Sequence, residues 1–579
     1  MKIPLRAYLR LLKRYLAAQR SAVAGLVVLV MTGIGLQVYS PQILRRFIDL
    51  AMAGEARPLP GLAALFIVLA VIQQGLAVLS RYVSETIGWT ATNGLRADLA
   101  MHCLRLDMTF HKTHAPGELV ERIDGDVNQL ANFFSRLVVD LFGSLVLVSG
   151  VLVMLLREDW RAGGATAVFT LLALALLLAL RNIAVPYHVG VRQLTAEFFG
   201  FLGERLSGRE DIKANGAAGH TLVRFQQQLG PWFRKQRMAY VTHVTGWAGS
   251  LVAFNGADAM AFVIGAYLWS RGMASIGGIY LIFSYIELVG QPIMRIRTQL
   301  QDLQKASAAI VRISGLFALE SALAPGRGKR LPDGPLAVEF RAVSFHYEDD
   351  ESIFRDLSFK LEPGRTLGLL GRTGSGKSSL TRLLLRLYDP QSGDILLGGV
   401  PLREAAEADL RRRVAVVTQD VQLFRASLRD NLSLFDPSIG DEKIIAALHD
   451  VGLGDWLAGL ERGLDTELQG GHGLSAGQAQ LLAFARVFLA DPGLVILDEA
   501  SSRVDPATET LIERAVARLL AGRTAIIIAH HLATVQRADE ILILDDGDIA
   551  EHGERLRLAM DPDSRFSRLL RTGLTEVLV

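Results

Sequence analysis

Cysteine is nearly missing from this sequence. Its 579 residues include one, Cys103, so no intrachain disulfide can form and no thiolate-rich metal centre can be built. That scarcity says nothing about redox compartment. A strong charge of either sign is missing too: 61 Lys and Arg face 59 Asp and Glu, a net charge of +2. A chain whose main partner is a nucleic acid needs a basic excess to displace counterions, so that partner is not expected. Charged residues are also sparse as a whole, at 21% against 50% apolar. The mean hydropathy is positive, which is high for a soluble protein.

The apolar residues are not spread evenly. Long apolar runs fall near 21–44, 61–82, 137–156, 164–186, 245–270 and 273–293. A bilayer core of ~30 Å takes ~20 apolar residues in a helix, so these runs predict about six spans. Stretches such as "AVFTLLALALLLAL" are apolar on every face, unlike an amphipathic core helix. The first run lacks a convincing cleavage site and is read as a span. Beyond residue 330 short β-branched runs alternate with charged stretches, the pattern of a soluble α/β domain. The Pro- and Gly-rich "LESALAPGRGKRLPDGPLA" marks the join, which gives a helical membrane domain over 1–325 and an α/β phosphate-loop domain over 326–579.

Basic residues set the orientation. Lys2, Arg6, Arg10, Lys13, Arg14 and Arg20 precede the first span, and the long linkers after spans two and four are also basic. The positive-inside rule then puts the N-terminus, both long linkers and the C-terminal domain in the cytoplasm. Residues 5–18 read as an amphipathic helix on the inner membrane surface. Each long linker is helical either side of a breaker, His114-Ala115-Pro116-Gly117 in the first and Gly208 and Gly216 in the second. Inside the spans, Asp258 and Glu287 are costly charges and therefore candidates for a substrate pathway.

The C-terminal domain carries the sharpest motif. Gly371 to Ser378, "GRTGSGKS", follows the apolar run Thr366 to Leu370 and precedes an amphipathic helix reaching Leu387. This strand, loop and helix wraps phosphates: Gly371, Gly374 and Gly376 let the backbone N–H groups of Arg372, Thr373, Ser375 and Ser379 approach, Lys377 meets the outer phosphates and Ser378 binds Mg2+. A second apolar strand in "LVILDEASSRVD" delivers Asp498 and Glu499 at its C-terminal end, where open parallel sheets bind ligands. Asp498 is expected to hold Mg2+, and Glu499 to polarise the attacking water.

Between them lies Leu474-Ser475-Ala476-Gly477-Gln478, where Ser475 can cap a helix whose N-terminus would face an anion. With this the sequence resembles the ATP-binding-cassette (ABC) transporters, whose signature is Leu-Ser-Gly-Gly-Gln. The order of spans, linkers and one cassette looks like an exporter-type half-transporter. The resemblance implies further roles. Tyr347, taken to lie ahead of the first cassette strand, would stack on adenine. Gln419 would contact Mg2+, Asp505 would communicate across a cassette dimer, and His530 in "TAIIIAHHL" would reach the γ-phosphate. His531 would have a local job. Paired cassettes would place each ATP between one chain's phosphate loop and the other's Ser475, Gly477 and Gln478, so a second half-transporter is implied. Departures at Gln469, Ala476, Ala479, Leu481, Arg503 and Val504 favour a heterodimer over a homodimer. The implied activity is ATP hydrolysis driving export of a small or amphipathic solute, peptide or lipid from the inner membrane. Import through the same architecture, or an ATP-gated channel or regulator, are the alternatives.

Overall fold

Among the described residues, six helices in the N-terminal half are long and apolar enough to cross a membrane. The computed structural model describes residues 14–324, 326–347, 352–468, 473–498, 506–529 and 532–572. The amphipathic helix expected over residues 5–18 lies mostly outside these. Two compact units emerge, one of residues Met1–Arg105 and His114–Glu320, the other of Leu106–Thr113 and Ser321–Val579.

In the first unit the spanning helices are α1 (Arg20–Met52), α2 (Leu59–Arg105), α4 (Gly143–Glu158), α5 (Trp160–Ser207), α7 (Ala218–Ser270) and α8 (Ile276–Phe317); of the short helices in the long linkers, α6 (Arg209–Ala214) belongs to this unit and α3 (Met108–Thr113) to the other. At 1.5 Å per residue the longest helices reach roughly 80 Å, far more than a bilayer core requires, so much of their length projects beyond it. The second linker breaks where its glycines predict: α5 stops at Ser207, and after α6 the chain turns at Gly216 with a positive φ of 64°. Leu147, Val151 and Leu155 of α4 pack against Leu281, Tyr285 and Ile286 of α8. The buried Tyr285 hydroxyl accepts from Gln42 Nε2 (3.0 Å) and donates to the Val38 carbonyl (3.0 Å), which satisfies it and ties α8 to α1. By contrast Ile67, Val71 and Val78 of α2 are exposed on the single chain, a surface suited to lipid or to another protein.

Among the described residues the second unit is built on two larger sheets, with a small two-stranded pairing of Ala426–Ser427 and Glu467–Leu468 besides. Strands β1 (Val338–His346), β2 (Ser352–Leu361) and β4 (Ser392–Leu397) pair antiparallel in the order β2-β1-β4, with the short Val400–Pro401 strand at the edge. The other sheet comprises β3 (Thr366–Gly371), β5 (Val414–Val417), β6 (Leu494–Asp498), β7 (Thr524–Ile528), β8 (Glu540–Asp545) and β9 (Asp548–Glu554), in the order β9-β8-β3-β7-β6-β5. The isoleucine run is β7, buried along its length and parallel to both β3 and β6. Every residue of β3 is buried as well, as covering on both faces demands. After β3 the helix α9 covers Lys377–Leu384, one turn short of the expected Leu387, because Arg386 turns to a positive φ of 48° and its guanidinium pairs with Asp389.

Candidate functional site

The parallel register decides which residues share an edge. Ile528 of β7 stands beside Asp498 of β6, Val417 of β5 beside Leu497, and Leu369 of β3 beside Ile528. Gly371, Asp498 and, two residues beyond β5, Gln419 therefore emerge on the C-terminal edge of one sheet. The chain leaving β7 emerges there too, its Ala529 N–H donating to the Leu369 carbonyl (3.2 Å).

Gly371 opens the loop with a φ of 152°, and a Cβ there would sit 2.4 Å from the Leu544 carbonyl oxygen. Gly376 closes it at φ 104°, where a Cβ would meet the Phe354 ring at 2.6 Å. Both positions need glycine for two separate reasons, left-handed backbone and close approach. The loop then enters α9 with Ser378 exposed at its first turn. Lys377 folds back into the loop, its Nζ donating to the carbonyls of Gly371 (2.6 Å) and Arg372 (2.9 Å). Burial pushes the Lys377 ammonium below its ordinary pKa, and the Asp498 carboxylate partly restores it. An ammonium held at that cost gains from an anion placed beside it. Ser375 gives the matching signal: its hydroxyl is buried with no hydrogen-bond partner among the described residues. An orphan donor, a desolvated lysine, positive-φ glycines and a helix N-terminus fit a polyphosphate. Exposed Ser378 and half-buried Asp498 supply the hard oxygen donors that suit Mg2+.

Tyr347 follows β1, the first cassette strand, instead of preceding it, which corrects the sequence expectation. The strand was hard to read because its register shifts around Ala342, whose φ is 51°, and the bulge breaks the alternation of period two. The Tyr347 hydroxyl lies 3.1 Å from Ser379 Oγ and accepts from Arg382 Nη1 at 3.0 Å, so the ring is tethered to α9 beside the phosphate loop. Phe345 and Tyr388 pack against that ring nearly edge to face, at 4.9 and 5.1 Å between centroids. Arg382 was not anticipated; its spacing of three from Ser379 on a helix was the available signal.

The signature segment opens a helix of its own. Ser475 Oγ accepts from the Gln478 N–H (3.1 Å) while Gln478 Oε1 accepts from the Ser475 N–H (3.0 Å), a closed capping box at the start of α10 (Ala476–Ala490). Ser475 is exposed and Gly477 buried. Arg486, further along α10, was also missed. Its guanidinium donates to the carbonyls of Asn431 (2.7 Å) and Gln422 (3.0 Å), which fastens α10 to the segment following Gln419. Glu499, Asp505, His530 and His531 lie outside the described residues.

In the first unit Asp258 and Glu287 come together on one cavity. It measures about 720 Å3 and is lined by Gln37, Thr166, Phe169, Thr170, Ala173, Phe254, Ala257, Asp258 and residues 286–291, 293 and 294. Its described lining holds no Lys or Arg.

Comparison with known proteins agrees with both halves. The family model described as "ABC transporter transmembrane region" matches residues 23–293, and that described as "ABC transporter" matches 354–502. A probable multidrug resistance ABC transporter ATP-binding/permease protein of Bacillus subtilis, YheH, is 31% identical over 80% of this chain and 69% of its own. An ATP-dependent lipid A-core flippase of Idiomarina loihiensis is 30% identical over 87% of each chain. The solved structure of a bacterial Atm1-family ABC exporter with ATP bound superposes with a TM-score of 0.80 at 23% identity, over 96% of this chain and 99% of that one, a likeness of fold. Six apolar spans, a phosphate-binding sheet edge and these relatives together establish that the chain belongs to the ABC transporter family, as an exporter-type half-transporter with ATP-binding and membrane domains in one polypeptide.

Proposed function

We propose that this chain hydrolyses ATP to drive solute export as one half of a dimer, its cassette in the cytoplasm and its join near residues 325–326. The observation that carries this reading is the sheet edge where buried Lys377, the orphan Ser375 hydroxyl and Asp498 meet. There the loop N–H groups and Lys377 hold the β- and γ-phosphates, and Tyr347, fixed by Ser379 and Arg382, offers its ring to adenine. Mg2+, held by Ser378, Gln419 and Asp498, would neutralise charge developing on the phosphoryl oxygens. Glu499 follows Asp498 directly and is assigned to orient water and accept its proton, with His530 steadying the γ-phosphate. The exposed, capped N-terminus of α10, with Ser475, Gly477 and Gln478, serves the partner chain's nucleotide, and Asp505 links the two cassettes. Drift at Ala476, Gln469 and Arg503 supports a partner that differs in sequence.

The cavity bearing Asp258 and Glu287 is proposed as part of the substrate pathway. Its size suits a drug-sized solute, and two carboxylates beside Phe169 and Phe254 favour a cationic or amphipathic one. ATPase activity of the purified protein in lipid tests the catalytic assignment. Glu499→Gln should bind ATP and lose nearly all turnover; normal turnover would refute it.

A further inference from the structure

The short helix α3 belongs by sequence to the linker between two spanning helices, yet it falls within the cassette's own compact unit. Asp107 holds it there. The Asp107 carboxylate accepts from the N–H groups of Thr109 (3.0 Å) and Phe110 (3.1 Å), capping the helix, and from the N–H of Ala322 (2.6 Å) on the segment leading into the cassette. At the far end of the same helix, Lys112 Nζ stands over the Tyr347 ring, 5.1 Å from its centroid. An ammonium at that distance is attracted by the ring's quadrupole. A cavity of about 370 Å3 adjoins the pair, so the side chain has room to move.

We propose that Lys112 is a positioning residue that competes with the nucleotide base for the Tyr347 ring. A purine stacking on the ring displaces the ammonium from it, so this contact between α3 and the base site is lost while the Asp107 contacts remain. Occupancy of the base site is thereby passed directly to the linker that carries α3, without passing through Gln419. Ser379 and Arg382 engage the Tyr347 hydroxyl, and Phe345 and Tyr388 pack nearly perpendicular to its ring, which crowds the ring and limits the surface that a cation and a base can share. Competition also confers selectivity. A pyrimidine, with a smaller stacking face, gains less by displacing the lysine than a purine does. This inference rests on the reading of Tyr347 as the base-stacking residue.

The test is equilibrium binding of ATP and CTP to the full-length protein in lipid, with hydrolysis blocked by Glu499→Gln. Lys112 is exposed, so its replacement leaves the fold intact. Lys112→Met should tighten ATP by about two- to five-fold, the range of an exposed cation–π contact, and should change CTP less. Lys112→Arg should restore the original affinity, which a purely steric role would not produce. In a Tyr347→Ala background Lys112→Met should have no effect. If Tyr347→Ala weakens ATP but Lys112→Met leaves it unchanged or weaker, the competition is refuted and the stacking role stands. If Tyr347→Ala leaves ATP binding unaltered, the stacking role falls and the competition with it.

Discussion

At the scale of single residues the nucleotide site combines backbone placements that only glycine tolerates with a buried ammonium that favours an anion. Gly376 is the clearest, since its φ of 104° and the Phe354 ring both exclude a side chain. Gly376→Ala should cost about 1–3 kcal/mol in loop geometry and weaken ATP binding several-fold, read by nucleotide titration. The adjacent histidines supply an asymmetric prediction. β7 ends with Ile528 beside Asp498, two residues before His530 in the sequence. His530→Ala should cripple hydrolysis and His531→Ala should leave most of it; equal losses in steady-state turnover would remove the distinction. Much of this site was legible because the motif is local: strand, glycines, lysine and serine lie within one stretch from Thr366 to Ser379. The tether of Tyr347 by Arg382 and the contact with Lys112 were not legible. They join residues distant in sequence or depend on a bulged strand whose alternation is broken.

At the scale of elements, polar pairs fix helices whose apolar faces alone would leave their register loose. Arg312, on the extension of α8 beyond its spanning part, donates through Nε to Asp126 (2.8 Å) and through Nη2 to the other carboxylate oxygen. That bidentate contact raises the Arg312 pKa, and Asp126 is almost fully buried. Arg312→Met would strand a buried carboxylate. The guanidinium is half exposed and screened, so the expected loss is about 2–3 kcal/mol, measured by thermal unfolding in detergent. Spans and breakers were readable from hydropathy and glycine alone, because membrane thickness imposes a run length that chance seldom matches. Where α9 stops was less readable, since Arg386 adopts a left-handed backbone to meet Asp389, a choice made by its pairing and not by helix propensity.

At the scale of the whole molecule the two units carry complementary halves of one task. The cassette unit gathers phosphate-binding groups on a sheet edge, while the helical unit holds a cavity with two carboxylates. Their charges were legible as anomalies within apolar runs. That both face one cavity was not, because it depends on how α1, α5, α7 and α8 pack. Neutralising the pair should discriminate by solute charge: Asp258→Asn with Glu287→Gln should reduce transport of a cationic amphiphile far more than that of a neutral analogue. Unchanged transport of every cation tested would remove the acidic cavity from the pathway. The account's central claim is that hydrolysis at the Lys377 and Asp498 edge powers movement of solute through the helical unit. Its most direct test is ATP-dependent solute movement in sealed vesicles holding the protein with its partner half, measured alongside phosphate release. The account predicts that transport and release occur together and that both collapse in Glu499→Gln; solute movement that persists in that variant without phosphate release would contradict it.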